Sequence, residues 1–228
     1  MKRNLYKIDN SIELLSIGKP TLFLDPSEFN QIKYKYKKYN IFKPYKDSEK
    51  VILYINELPN ITLFKIESKN ALKHQNILGS ILALNINPSF LGDIIIDNDN
   101  YYFYIISELK EYIKNNLTKI SNYNITLKEI DIKTLNNYER KYEELQILVS
   151  SNRIDNVISK IINTNRDRIV DKIKNKEVIL NYEILSKSSY YLKPNDIFSI
   201  RKYGKYKYID IINTTKKNKS IIKVLKYI

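Results

Sequence analysis

Between Val51 and Ile130 the spacing of apolar residues switches from two to about 3.6 and back, twice over, and few folds accommodate that alternation. Val51 to Ile55 and Ile61 to Ile66 alternate as strands on either side of Leu58-Pro59-Asn60, a turn. Lys69 to Asn85 follows with helical spacing and a seam of small residues, Gly79, Ser80 and Ala83, suited to lying close on a sheet. Asp93 to Ile96 and Tyr101 to Ile106 are expected to pair as a hairpin across Asp97-Asn98-Asp99-Asn100. Ser107 is placed to cap a helix through Leu109, Ile113 and Leu117, and Ile125 to Ile130 reads as a last strand.

From Ile61 onward the order is therefore β-α-β-β-α-β, the ferredoxin-like arrangement, and the fold class is α+β. Residues 51–131 are assigned to this module. Residues 1–50 read as a helical segment, with Ile8, Ile12 and Leu15 on one apolar face. Asp25-Pro26 opens a second helix carrying Phe29, Ile32, Tyr36 and Tyr39. The intervening Lys33, Lys35, Lys37 and Lys38 read as the solvated face of that helix. Residues 132–145 are polar and without an apolar period, as a linker would be.

Residues 146–228 have a different character. Ser151 or Asn152 can cap a helix in which Ile154, Val157, Ile158 and Ile161 recur at helical spacing, and Thr164 or Asn165 can cap a second with Ile169, Val170 and Ile173 inward. Asp167 suits the partial positive charge of that second helix start, whereas Arg166 and Arg168 oppose it. Two arginines beside open backbone N–H groups suit a phosphate. Charge distribution points the same way: residues 1–145 hold 21 Lys+Arg against 18 Asp+Glu, and residues 146–228 hold 18 against 7. An AT-rich codon bias would spread lysine evenly, so the concentration implies a polyanionic partner for the last third. Cysteine is absent, which removes disulfides and thiolate metal sites. Apolar runs fall far short of the roughly 20 residues that span a bilayer, and Met1 to Lys7 is basic with no apolar stretch after it. A cytoplasmic protein that does not enter membranes is expected.

The order of residues Ser151 to Lys207 resembles the RNA-binding domain named after small-subunit ribosomal protein four, the S-four domain. The pattern is carried by Ser151, Arg153, Asp155, Arg166, Val178, Asn181, Asp196 and Arg201, with Asn165 in place of its Ser and Lys176 and Asn195 in place of its Gly; asparagine is the next-best residue for a left-handed turn. Upstream, His74-Gln75-Asn76-Ile77-Leu78-Gly79, Leu91-Gly92-Asp93-Ile94 and Asn116-Leu117-Thr118-Lys119-Ile120 are similar to segments of the YlmH family of bacterial RNA-binding proteins, with Gln75 and Asn76 in place of Arg-Asp. The resemblance implies two helices on a small sheet in the C-terminal domain. It also implies binding to ribosomal RNA of the large subunit and to transfer RNA, in ribosome-associated quality control of stalled translation.

On this reading Ser151, Arg153, Asn165, Arg166, Arg168, Lys172, Asn181, Arg201, Lys205 and Lys207 form the RNA-binding set. Asp155 is expected to orient Arg153 or cap its helix, and Arg201, Lys205 and Lys207 to extend the basic surface along a sheet edge. His74, Tyr102 and Tyr104 are secondary candidates. The two tyrosines could stack on bases, though packing beneath the N-terminal helices is their expected use. No metal, cofactor or catalytic group is expected: His74 has no second histidine or cysteine to share a metal, and Asp97 to Asn100 lacks the glycine and glutamate of a calcium loop. The alternative is an RNA-modifying enzyme of the pseudouridine-synthase kind or an RNA-charging subunit. Free of RNA, the chain is expected to be a monomer.

Overall fold

The second of the two N-terminal helices starts where a side chain meets the backbone left open there. The computed structural model describes residues 2–216 and 218–228, with side chains from residue 6 onward. Helix α1 (Lys2–Ser16) buries Ile8 and Leu15. In α2 (Pro26–Lys35) the Asp25 carboxylate accepts from Glu28 N at 2.9 Å while Glu28 accepts from Asp25 N at 2.8 Å, a reciprocal cap. Tyr36 then turns extended, so Tyr36 and Tyr39 pack on the helix pair from beyond its end. Strand β1 (Asn40–Phe42), which no apolar period announced, follows and pairs with β2 (Ile52–Tyr54). The alternation at 51–55 is thus a strand as expected, but its partner is β1 rather than the strand beyond the turn.

Strand β3 (Ile61–Glu67), α3 (His74–Leu82), β4 (Leu91–Asp97), β5 (Asn100–Ile106) and α4 (Lys110–Asn116) come next. A two-residue β6 (Lys119–Ile120) and β7 (Tyr123–Asn124) precede β8 (Thr126–Ile130). The long strands form an antiparallel sheet in the order β4-β5-β3-β8. Helix α3 is shorter than the 69–85 expected, because the Tyr101 hydroxyl accepts from Leu72 N at 3.0 Å and holds that residue outside the helix. Ser107 is not the cap of α4: its hydroxyl pairs with Thr62 Oγ1 at 2.9 Å, and a 3-10 turn leads into the helix.

The two faces of this sheet have different covers. Phe64, Phe103 and Ile105 pack beneath Ile77, Ile81 and Ile113 of α3 and α4. On the reverse, Leu63, Tyr104 and Ile106 meet Phe23, Tyr45, Ile52 and Leu135. Each of these large side chains contributes about 1.5–3 kcal/mol on full burial. The small residue in Leu91-Gly92-Asp93-Ile94 is required here, since a Cβ on Gly92 would sit 2.8 Å from both Phe23 Cζ and Tyr104 Cβ. The adjacent Asp93 accepts from Tyr45 Oη at 2.8 Å, Ser48 Oγ at 3.2 Å and Glu49 N at 2.8 Å, tying down the 45–50 loop.

The chain divides into two units after Glu139. Residues 132–145, expected as a linker, are mostly structured: Ile132–Leu135 is a 3-10 turn with Leu135 in the first unit's core, and a strand begins at Tyr142. Residues 132–135 lack a period because a single turn is too short to carry one.

The second unit contains β9 (Tyr142–Val149), α5 (Ile154–Ile161), α6 (Arg166–Lys174), β10 (Val178–Leu180), β11 (Glu183–Ile184), β12 (Ile197–Ile200), β13 (Gly204–Thr214) and β14 (Ser220–Tyr227). Its six strands run in the order β11-β10-β12-β13-β14-β9. Ile154, Val157, Ile158, Ile169 and Ile173 of the helices pack on Val178, Phe198, Tyr206, Tyr208, Ile222 and Val224, so both helices occupy one face. Among the described residues no helix is long and apolar enough to cross a membrane, and no cluster of His, Cys, Asp or Glu could hold a metal ion.

Candidate nucleic-acid interface

The loop before α5 is fixed by a second segment rather than by a capping side chain. Ile154 N donates to Tyr190 O at 2.8 Å, Leu192 N to Asn152 O at 3.0 Å, and Asn152 Nδ2 to Leu192 O at 3.0 Å. Asn156 Nδ2 donates to Ser151 O at 2.8 Å. Ser151 and Asn152 therefore frame the loop, and Arg153, with no side-chain cap bond, stands at the helix start. At α6 the expectation of an Asn165 cap holds: its Oδ1 accepts from Arg168 N at 3.0 Å.

These two helix starts are joined by one carboxylate. Asp155 is 2% exposed; its Oδ2 lies 2.8 Å from Arg153 Nη2 and 2.8 Å from Arg166 Nη2, and its Oδ1 accepts from Asn156 N at 2.8 Å. Burial alone would push this carboxyl up, but the hydrogen bonds from Arg153 and Arg166 outweigh it and hold Asp155 below the usual carboxylate range. The Arg153 and Arg166 side chains remain 30% and 47% exposed, and Arg168, two residues after Arg166, is exposed as well. A guanidinium carries five donors: Arg153 gives Nε and Nη2 to Asp155 and Arg166 gives one Nη2, which leaves the others facing outward in a fixed orientation. The carboxylate removes part of the charge and in exchange sets the direction of both arginines. Such an arrangement can donate to the non-bridging oxygens of neighbouring phosphates.

Sequence reasoning paired Asp155 with Arg153 and missed its bond to Arg166, eleven positions on, which no local pattern encodes. It also missed Tyr191, 58% exposed and bridged through its backbone to Arg153.

The structure gathers Ser151, Arg153, Asn165, Arg166 and Arg168 and separates the rest of the expected set. Lys172 lies toward the far end of α6, 2.7 Å from Glu177 and 5.5 Å from the Tyr203 ring, and the exposed Arg201 donates its backbone N–H to Glu177 O. Asn181 is a turn residue (φ 48) whose side chain donates to Asp196 at 2.8 Å and accepts from Ile197 N at 2.9 Å. Its amide is spent inside the fold. Lys205 and Lys207 do not extend the helix-side surface along an edge. β13 is an interior strand, and they alternate with the core-facing Tyr206 and Tyr208, so they project from the face opposite the helices.

In the first unit, Tyr104 is fully buried and stacked on Tyr45 at 6.1 Å, which removes it as an RNA contact. Its hydroxyl is buried with no hydrogen-bond partner, and burial with the nearby Asp93 pushes its pKa well up. Tyr102 is half-buried with Lys65 6.0 Å from its ring, and His74 is exposed at the start of α3. Asn76 donates to Ser121 Oγ at 2.8 Å.

Residues 59–134 match the model of a putative RNA-binding domain in YlmH. The chain is 25% identical over 146 residues to the ribosome-associated protein quality control protein P2 of Bacillus subtilis (strain 168), covering 64% of this chain and 57% of that protein. The match therefore spans a little over half the relative's length. Among solved structures, the cell division protein ylmH from Streptococcus pneumoniae has 21% identity and a TM-score of 0.49, covering 58% of this chain and 92% of that chain.

Proposed function

We propose that the chain is a YlmH-type, non-catalytic RNA-binding protein whose C-terminal unit grips structured RNA, a reading supported by the family-model match over residues 59–134 and the Bacillus subtilis relative. The observation that carries the reading is the Arg153–Asp155–Arg166 clamp beside Arg168, four charged groups at two adjacent helix starts. Folded RNA is read mainly through its shape and phosphate positions, and a rigid pair of oriented guanidiniums suits that task. In this reading the first unit is ferredoxin-like, supported by its β-α-β-β-α-β order and the β4-β5-β3-β8 arrangement. The second is S-four-like, supported by the residues that meet at its helix starts.

The family match lies in the first unit and the charge excess in the second, which suggests that both contribute: the second by phosphate contacts, the first by choosing the target. Large-subunit ribosomal RNA and transfer RNA are the proposed ligands. Ribosome-associated quality control in the cytoplasm is the proposed setting, by analogy with the relative so named.

The test is fluorescence anisotropy of a labelled hairpin RNA with the full chain over a salt series. Log affinity should fall by about 0.7–0.9 per phosphate contact for each log unit of salt. Replacing Arg166 and Arg168 with Gln should weaken binding at least about tenfold and flatten that slope by about two contacts. Normal binding by a folded double variant overturns the proposal. Glutamine is preferred to glutamate because a carboxylate at position 166 would face Asp155 and confound binding with folding.

A further inference from the structure

The face of the C-terminal sheet opposite the helices carries a second arrangement of aromatic rings and cations. Cross-strand register places Lys205 opposite Ser199, Ser199 opposite Ile179, and Ile179 opposite Ile184, with Tyr227 opposite Tyr142 at the other side. Partners directly opposite one another share a face. Lys205 Nζ lies 4.6 Å from the Tyr182 ring and 5.0 Å from the Tyr227 ring, which brings those groups together above the sheet. Tyr142 meets Tyr227 edge-to-face at 5.0 Å, and the Arg140 guanidinium lies 5.4 Å from the Tyr227 ring. Tyr142 is 38% exposed on β9, the outermost strand.

We propose that this face binds unpaired RNA nucleotides, a base stacking on Tyr142 beside Tyr227 and the backbone phosphates lying over Lys205 and Lys207. The proposal rests on the RNA-binding reading above but uses other residues on another face. Charge complementarity identifies the occupant. Arg140 and Lys205 lie beside the tyrosines, Lys207 follows two residues along β13 on the same face, opposite Leu225, and the Glu144 carboxylate on that face is taken up by Lys223 at 2.6 Å. Every base has a π-face, so an aromatic pair flanked by cations binds single strands with little sequence preference. A duplex keeps its bases stacked inside and cannot use the rings, so the two surfaces discriminate between paired and unpaired RNA.

The test titrates the full chain into a labelled ten-nucleotide oligouridylate, with the hairpin RNA in parallel and circular dichroism on every variant. Tyr142→Ala should weaken oligouridylate binding about tenfold, the size expected for losing one base–aromatic stack, and leave hairpin binding unchanged. Tyr142→Phe should retain it. Lys207→Gln, a surface change independent of the aromatic pair, should lower the salt slope for oligouridylate by about one contact. Arg166→Gln should weaken the hairpin and spare the oligouridylate. The proposal is overturned if the wild-type chain binds the hairpin but not the oligouridylate, or if folded Tyr142→Ala binds both as the wild type does. Loss of hairpin binding alone would count against the helix-side grip and leave this face standing.

Discussion

A buried hydroxyl without a partner is costly, and Tyr104 supplies one at the centre of the first unit. Removing the oxygen removes that penalty while the ring keeps its stack on Tyr45. Tyr104→Phe is therefore expected to stabilise the first unit by about 1 kcal/mol, read as a shift in denaturation midpoint. Asp155 is the opposite case, a buried acid with every bond satisfied. Its pKa is depressed in the folded state, so its stabilisation is fully present above the ordinary carboxylate pKa of about 3.9. That contribution is lost as pH falls through the lower folded value. The C-terminal unit should hold its stability from neutral pH down to about 5 and lose it below about 4, where Asp155→Asn should show a flatter acid limb. An unchanged acid limb in Asp155→Asn would show that the clamp does not stabilise the unit. Of the clamp, Arg153 and Asp155 were legible in the sequence because they are neighbours. The Arg166 bond was not, because it depends on how two helices pack.

Secondary structure was legible where caps and periods coincide, as at Asp25-Pro26 and Asn165, and illegible where a strand is too short for a period, as at Asn40–Phe42 and Lys119–Ile120. The end of α6 is instructive. Lys176 N donates to Ile173 O at 3.0 Å and Glu177 N to Lys172 O at 2.9 Å, a closing motif that puts Lys176 at φ 59, in the left-handed region. The related pattern has glycine at this place, and here a lysine bears the cost of the conformation. Lys176→Gly is expected to stabilise the second unit by about 1 kcal/mol, measured by urea denaturation, without altering RNA affinity. A destabilised Lys176→Gly would mean that the side chain contributes more than its backbone costs. Asn195, at φ 73, fills a second glycine position, and the asparagine there was readable as a left-handed turn from the sequence alone.

At the scale of the molecule, the division after Glu139 and the uneven charge predict a division of labour. Residues 140–228 alone should keep most of the hairpin affinity and its salt slope, while residues 1–139 alone should bind the same RNA at least about tenfold more weakly; equal affinities would refute the assignment of the grip to the second unit. The pairing of β9 with β14 has a further consequence, for the order in which the protein assembles. In the first unit the β4–β5 pair joins neighbours across a two-residue turn, a contact that forms early. In the second, β9 is the first strand to be synthesised, yet its one partner is the last, with Tyr142 meeting Tyr227. Non-local pairing of this kind must meet a large loop-closure entropy before any contact offsets it. The second unit therefore remains open through most of its synthesis, with the inner edge of β9 unprotected. It matures only when Ser220–Tyr227 slides between β13 and β9, so the six-stranded sheet closes in a single event after its other strands have been made.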